Sequence, residues 1–399
     1  MKKSINPQHK YHFPSKIEMV EHKGKTLVVL PETSNWIVLD NSIQTSFFKE
    51  LLEKKISDAL LKFSNNKQEC IYVLTQIEAR HLESTAVSRN TRYAMHLYLT
   101  NECNMRCPHC YMSAGAKDNL ELSTEEVCKL FRDFYDHNGI GVVLSGGEVA
   151  LRSDLTEIIE YGDSLGLQME ILSNGTLLSP STIHSIAPHL HRAQISIDGF
   201  SEESNARVRG SGNFQKALTA LNNLIYEGIN TELAITPFPY KDLALQEDAY
   251  VNFGLNLLSM YGDRLNIKIT TDIFEGRNIK PSLEEKASYA KITEHISNRI
   301  NGDTGRLGGF ILAARHQAIN DNYSFGNINI ASNGDVYPCA KIKMTSSFAN
   351  VRTHTIEEIL LKSRSLQEKS NVNNLIPCKD CELKFICGGG CRLDYFKEC

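Results

Sequence analysis

An alternation of strand-like and helix-like segments, from about residue 94 to residue 300, most constrains the fold of this chain of 399 residues. The candidate strands are AMHLYLT, GVVLSGG, QMEILSNG, RAQISIDG, TELAITP and NIKITTDI. Segments with the apolar period of helices separate them, such as STEEVCKLFRDFYDHNG and NFQKALTALNNLIYEG. Six such βα units predict an α/β fold, in which a parallel sheet covered by helices curves into a full or partial (β/α)6 barrel. In such folds the chemistry lies at the carboxyl ends of the strands.

Three cysteines occupy the loop that follows the first candidate strand. They are Cys103, Cys107 and Cys110, in the sequence LTNECNMRCPHCYMS. A [4Fe–4S] cluster normally takes four thiolates, so three would leave one iron open for another ligand. A structural zinc site with His109 as the fourth ligand is the alternative, but the C-x3-C-x2-C spacing fits zinc badly. The loop therefore predicts a catalytic iron–sulfur cluster at the mouth of the barrel.

A second group of thiols closes the chain. The six cysteines of this group are Cys339, Cys378, Cys381, Cys387, Cys391 and Cys399. Cys128 stands alone in an amphipathic helix-like segment and Cys70 in a mixed segment, and both are expected to be packing residues. The sequence shows neither a signal peptide nor a membrane-spanning stretch, which indicates the reducing cytoplasm, where clustered cysteines bind metal rather than form disulfides. A second metal centre is therefore expected, with a zinc ribbon as the alternative to an iron–sulfur cluster.

Polar residues also end the next three candidate strands. They are Gly146, Gly147 and Glu148, then Ser173 and Asn174, and then Ser196 and Asp198. Each motif alone is typical of a turn, but together with the cysteine loop they predict one ligand site. The two glycines would let the backbone approach the ligand closely, and a carboxylate can accept hydrogen bonds from an ammonium group. Arg209 either contacts a carboxylate or is an ordinary surface arginine.

Composition limits the partners of the chain. Hydrophobic residues make up 41% and charged residues 23% of the sequence, as in ordinary soluble proteins, and the formal net charge is −4. A chain of this charge has no basic field that would attract nucleic acid. Neither a nucleic acid nor a membrane is therefore expected as a partner.

The cysteine loop, with Tyr111 directly after its third cysteine, resembles the cluster loop of the radical S-adenosylmethionine (radical SAM) superfamily. LSGGE, residues 144–148, is similar to the G-G-E motif of the same family. The resemblance implies that the open iron binds the amino and carboxylate groups of SAM, which reduction cleaves to a 5′-deoxyadenosyl radical. It implies that Glu148 accepts from the SAM ammonium, that Ser173 and Asn174 face the nucleoside, and that the next strand end presents Ser196 and Asp198 to the same cofactor. A flavodoxin- or ferredoxin-type electron donor is also implied, while no residue is assigned as catalytic.

The tail resembles the SPASM domain, which follows radical SAM barrels and holds auxiliary iron–sulfur clusters. In the full pattern, one auxiliary [4Fe–4S] cluster takes the cysteines that match Cys378, Cys381, Cys387 and Cys399. A second cluster takes those matching Cys339 and Cys391 together with two upstream cysteines, which this chain lacks. Cys339 and Cys391 therefore either hold a cluster with other ligands, such as His316 or Asp321, or are free.

The segment 17–85 contains three short strand-like stretches followed by helices. This order is similar to the winged-helix element with which peptide-modifying enzymes bind a leader peptide as an added strand. The alternative is a cap on the next domain. The sequence thus predicts a winged-helix-like recognition module at 1–90, a radical SAM barrel at 91–305 and a SPASM-like domain at 306–399.

These resemblances imply a maturase that abstracts hydrogen from a ribosomally made precursor peptide and installs a thioether, another cross-link or an epimerised centre. An anaerobic sulfatase-maturase-like enzyme that makes formylglycine is an alternative. Such enzymes carry an acidic base next to the cysteine matching Cys339, whereas Ala340 follows here, which counts against that alternative. An iron–sulfur electron-transfer scaffold is the non-enzymatic alternative, although it would have no use for an open cluster loop.

Overall fold

The architecture was taken from a computed structural model of the chain. It describes residues 5–22, 24–30, 33, 35–80, 82–83, 93–301, 325–341, 345–376, 378–381, 384 and 388–394. These residues form two structural units. The first contains the described residues of Met1–Asn90 and Asn371–Cys391, and the second contains those of Thr91–Leu312, Ser324–Ser370 and Arg392–Cys399.

The first unit contains a small antiparallel sheet followed by three helices. The strands are β1 (Glu18–His22), β2 (Lys25–Leu30) and β3 (Asn35–Leu39), hydrogen-bonded in that order. The helices are α1 (Ser42–Glu53), α2 (Ile56–Lys62) and α3 (Lys67–Ala79). The Asn41 side chain begins α1 by accepting from the backbone N–H groups of Ile43 and Gln44. Buried residues of these elements, among them Val28, Ile37 and Phe47, form a hydrophobic core of their own.

The second unit is built on a nine-stranded sheet with the order β12-β11-β10-β4-β5-β6-β7-β8-β9. Its parallel strands are β4 (Tyr93–Thr100), β5 (Gly139–Gly146), β6 (Gln168–Ser173), β7 (Arg192–Ile197), β8 (Asn230–Ile235) and β9 (Leu265–Ile269). On the other side of β4 come β10 (Ile328–Ile330), β11 (Asp335–Tyr337) and β12 (Ala349–Asn350). β10 runs parallel to β4, and the other two strands of this group pair antiparallel.

Helices connect and cover the parallel strands. They are α4 (Thr124–Asp136), α5 (Leu155–Ser164), α6 (Pro180–Ile186), α7 (Glu202–Arg209), α8 (Asn213–Tyr226), α9 (Glu247–Tyr261), α10 (Leu283–Asn301) and α11 (Ile356–Lys369). Alternate residues of β4, Met95, Leu97 and Leu99, belong to the core shared with these helices. Because side chains alternate along a strand, His96 and Tyr98 lie on the opposite face of the sheet. The six βα units expected from the sequence are confirmed.

Within the described ranges, no helix is both long enough and apolar enough to span a membrane.

Candidate active site at the carboxyl ends of the parallel strands

The cysteine loop begins where β4 ends, and backbone hydrogen bonds close it at its base. The N–H of Cys103 donates to the carbonyl of Gly115 at 3.1 Å, and the N–H of Gly115 donates to the carbonyl of Asn101 at 2.8 Å. The Arg106 side chain extends across the loop and donates to the carbonyls of Cys103 and Ala114. Backbone hydrogen bonds and the Arg106 side chain thus close the loop that carries the three thiols.

The three thiols lie together in an apolar environment. Cys103 and Cys110 pack against Tyr98 and Met112 on one side, and with Cys107 against Met105 and Val208 on the other. None of the three forms a disulfide. Burial raises the pKa of Cys103, and it raises the pKa of Cys107 to about 11.

The donor set of this loop fits an iron–sulfur cluster. Neighbouring reduced thiols are soft ligands of the kind that iron–sulfur clusters take. Because thiolates are the ligating form, metal binding here would have to displace the protons that burial favours. The loop supplies three such thiols, which leaves a fourth coordination position to another ligand.

Gly146 and Gly147 bring the end of β5 onto the backbone of this loop. A Cβ atom on Gly146 would lie 2.3 Å from the carbonyl oxygen of Thr100, and one on Gly147 would lie 2.0 Å from that of Glu102. The N–H of Gly147 donates to Thr100 and that of Glu148 to Glu102, both at 2.8 Å. The glycines therefore serve close packing within the protein, a role that the sequence analysis did not assign to them. Their approach to a ligand stays a prediction.

Glu148 is buried, with 1% of its surface exposed, and it binds groups of the protein itself. It accepts from the Ser173 hydroxyl at 2.6 Å and from the N–H groups of Asn174 and Ala150 at 2.7 and 3.1 Å. Burial raises the pKa of Glu148, while these three donors and the charge of Arg209 oppose the rise. The carboxylate thus joins the end of β5 to the end of β6, and its contact with a ligand ammonium stays a prediction.

The ends of β6 and β7 hold the other residues expected from the sequence. The Asn174 side chain donates to the Asn104 side chain at 2.9 Å and so ties the end of β6 to the cysteine loop. It also accepts from the hydroxyl of Thr176, which receives a hydrogen bond from Asn104. Ser196, half-buried near the end of β7, makes no side-chain hydrogen bond to the described part of the chain.

Asp198, directly after β7, is fully buried and forms a charged group with two partners. Arg209 donates from Nε to Oδ2 at 2.6 Å and from Nη2 to Oδ1 at 3.1 Å, and His109 Nε2 lies 2.9 Å from Oδ2. Burial raises the pKa of Asp198, but the charges and hydrogen bonds of Arg209 and His109 together outweigh burial, and the pKa lies well below its usual range. Ligand atoms of Cys107, His109 and Asp198 all lie within 4.8 Å of one another. Of the two roles considered for Arg209, the structure supports contact with a carboxylate.

Two further contacts of the loop were not predicted from the sequence: one comes from the segment after β9 and the other from Tyr98 of β4. The N–H of Arg277 donates to the carbonyl of Cys110 at 3.2 Å, and that of Asn278 to Pro108 at 2.9 Å. Tyr98 lies with its hydroxyl 3.3 Å from that of Tyr111 and donates to the carbonyl of Ala340. These positions carry no motif, and the one signal available for Tyr98 is the alternation of side chains along β4, which places it on the face opposite Leu97 and Leu99.

The tail cysteines are described in part. Cys378 begins a short 3-10 turn, and the N–H of Cys381 donates to its carbonyl at 2.9 Å. Cys391 also belongs to the first unit, whereas Cys339 belongs to the second unit, where burial raises its pKa. Four residues of the predicted ligand sets lie outside the described residues, namely Cys387, Cys399, His316 and Asp321.

Comparison with known families and proteins places this site in context. Residues 97–247 match the family model of the radical SAM superfamily, and residues 322–382 match that of an iron–sulfur cluster-binding domain, SPASM. The mycofactocin maturase MftC of Mycolicibacterium smegmatis is 27% identical over 75% of this chain and 77% of that protein. The PqqA peptide cyclase of Rhizobium meliloti is 26% identical over 75% and 82%.

Solved structures share the fold. Streptococcus suis SuiB bound to precursor peptide SuiA aligns with a TM-score of 0.56 at 15% identity, over 96% of this chain and 95% of that one. The structure of anSMEcpe with bound AdoMet and the Kp18Cys peptide aligns with a TM-score of 0.58 at 16% identity, over 76% and 90%. At these identities the likeness shows the fold alone.

The clustered thiols at the carboxyl edge of the sheet and the matched model agree: the chain contains a radical SAM domain. It is a radical SAM enzyme whose second matched region is a SPASM domain. These domains imply [4Fe–4S] clusters and SAM as cofactors, as expected from the sequence.

Proposed function

We propose that this enzyme matures a ribosomally made precursor peptide by abstracting hydrogen from it with the radical that SAM cleavage provides. The observation that carries the proposal is the closed loop of three reduced thiols at the carboxyl edge of the parallel sheet. Relatives named as a mycofactocin maturase and a PqqA peptide cyclase support a peptide substrate, since each aligns with three quarters of this chain.

The chain's own residues would hold the cofactors as follows. Cys103, Cys107 and Cys110 would ligate the cluster, which when bound supplies the electron that cleaves SAM. The strand ends with Gly146, Gly147, Glu148, Ser173, Asn174, Ser196 and Asp198 would shape the SAM site, with Tyr111 beside the third thiol. Because Glu148 and Asp198 are occupied by internal donors, their part would be to fix the loops that touch SAM. The half-buried Ser196 hydroxyl remains available to a ligand.

The tail and the first unit would serve the peptide. Cys378, Cys381, Cys387 and Cys399 would hold one auxiliary cluster, and Cys339 and Cys391 either join a second cluster or ligate no cluster. The antiparallel sheet of β1, β2 and β3 would take the leader peptide as an added strand, because edge strands leave backbone groups ready for pairing. A flavodoxin- or ferredoxin-type protein would deliver the electron.

The proposal is tested with the short open reading frames that neighbour the gene. Each peptide is co-expressed with the enzyme under anaerobic conditions and analysed by mass spectrometry. A cross-link removes the mass of two hydrogen atoms, whereas epimerisation leaves the mass unchanged in ordinary water and adds deuterium in heavy water. Conversion of a serine or cysteine to formylglycine would support the sulfatase-maturase alternative. Unmodified peptides, with SAM cleavage intact in the same cells, would contradict a peptide substrate from this neighbourhood.

A further inference from the structure

His109 occupies the gap between the second and third cysteines, so its position fixes that part of the loop. Its ring is 16% exposed, lies against the ring of Phe238 with centroids 5.7 Å apart, and meets Asp198 at 2.9 Å. A side chain held on two sides restrains its backbone. His109 therefore anchors the Cys107–Cys110 segment to the end of β7.

Asp198 is itself held from several directions. Its backbone N–H donates to the Asn205 side chain at 3.0 Å, and its carbonyl accepts from the Tyr250 hydroxyl at 2.7 Å. Its two carboxylate oxygens receive the paired donors of Arg209, whose side chain is 10% exposed. A bidentate pair of this kind is rigid and directional. The carboxylate is thus a fixed point to which the histidine of the cysteine loop is tied.

Arg209 lies close to the thiols. Val208, its neighbour at the end of α7, packs against the loop cysteines, and the Asp198 carboxylate that Arg209 binds at 2.6 Å has an oxygen within 4.8 Å of the Cys107 sulfur. A positive charge near buried thiolates stabilises them, because interactions between charges are weakly screened there. Reduction adds negative charge to a cluster, so the same cation would favour its reduced form. Cluster potentials depend on such nearby charges and hydrogen bonds.

We propose that His109, Asp198 and Arg209 form one positioning unit that fixes the Cys107–Cys110 segment and sets the reduction potential of the cluster held there. The proposal rests on the assignment of that cluster to Cys103, Cys107 and Cys110. It gives Asp198 a role different from direct contact with SAM. The proposal predicts that the reduction potential of the cluster depends on the balance of charge between Asp198 and Arg209.

The test compares Arg209→Gln, Asp198→Asn and the double variant by redox titration, followed through the electron paramagnetic resonance signal that changes on addition of SAM. Arg209→Gln leaves an uncompensated negative charge and should lower the potential. Asp198→Asn leaves a positive charge and should raise it. The double variant is neutral at this site and should return towards the wild-type value, which makes the three variants a double-mutant cycle.

Arg192 offers a matched control at the opposite end of β7. It pairs with Glu170 at 2.8 Å and with Glu232 at 3.3 Å, so Arg192→Gln breaks a similar contact away from the cysteines. The potential should not move in that control. Shifts of equal sign in the two single variants, or no shift with full iron content, would overturn the proposal.

Conservative variants separate an effect of charge from simple loss of the cluster. Arg209→Lys keeps the charge without the two-pronged geometry, so the potential should stay near that of the wild type. If Arg209→Lys loses its cluster while Arg192→Lys retains it, the electrostatic role is overturned. His109→Ala should lose iron to a chelator several-fold faster than the wild type, and an unchanged rate would overturn the anchoring role. Undiminished SAM cleavage in the cysteine variants would instead contradict the cluster assignment on which this proposal rests.

Discussion

At the residue scale, the site depends on close packing between the backbone after β5 and the backbone of the cysteine loop. Gly147 packs so closely on Glu102 that any side chain would displace the cysteine loop. We expect Gly147→Ala to lower both the iron content and the thermal stability, because the new Cβ would lie 2.0 Å from a backbone oxygen that cannot rotate away. Gly141→Ala, within β5, is the matched control, since its Cβ would first meet a backbone oxygen at 3.2 Å.

Iron content and melting temperature of the two purified variants, measured side by side, check this expectation. If Gly147→Ala retains its iron and has the same melting temperature as Gly141→Ala, the close contact of Gly147 does not constrain the loop. The glycines would then be explained better by ligand approach alone.

Glu148 gives a second expectation at the same scale. Glu148→Ala removes the acceptor of Ser173, Asn174 and Ala150, and leaving such buried donors unpaired costs about 1–3 kcal/mol of folding free energy each before relaxation. We expect a clear fall in the free energy of unfolding, together with weaker SAM binding because the β6 loop moves. The exposed Glu157→Ala is the control. Chemical denaturation and SAM titration measure the two effects, and normal stability with lost SAM binding would indicate direct contact with SAM instead.

At the element scale, the small antiparallel sheet and its helices have a core of their own. That core is drawn from β2, β3 and the three following helices together with Tyr11 and Leu82. We therefore expect a fragment of residues 1–90 to fold and to bind the leader segment of the cognate precursor. Deleting these residues should leave SAM cleavage largely intact while modification of the full-length precursor collapses, because the peptide loses its high local concentration.

Circular dichroism and fluorescence anisotropy with a labelled leader peptide test the fragment. A folded fragment that does not bind the leader peptide would contradict the assignment of residues 1–90 as a recognition module. An insoluble deletion variant would favour a cap on the barrel, which is the alternative considered from the sequence.

The elements also show what the sequence could and could not predict. Each strand end that holds Glu148, Ser173 or Asp198 followed from the period of the chain, because hydrophobic alternation fixes where a strand stops. The contacts of Arg277 and Asn278 with the cysteine loop are made by backbone groups, which any sequence supplies. The parallel pairing of β10 with β4 joins residues far apart in the chain, and no local pattern reports such a pairing.

At the scale of the whole molecule, the charged group around Asp198 shows the same limit. Asp198 and Arg209 were each identified as candidates, but their bidentate contact depends on how α7 packs beside β7. His109 was considered as a zinc ligand, and its Nε2 faces the carboxylate of Asp198. Motifs thus predicted which residues surround the site, while tertiary packing decided which of them are already occupied by protein partners.

The central claim is that Cys103, Cys107 and Cys110 hold the cluster that cleaves SAM. The most direct measurement is 5′-deoxyadenosine formation by anaerobically reconstituted protein in which all three are replaced by alanine, with iron quantified in the same samples. We predict that product formation is abolished while the iron bound by the tail cysteines remains. Substitution of Cys70 and Cys128, the two isolated cysteines, should leave product formation near the wild-type rate. Undiminished 5′-deoxyadenosine formation by the triple variant would contradict the assignment.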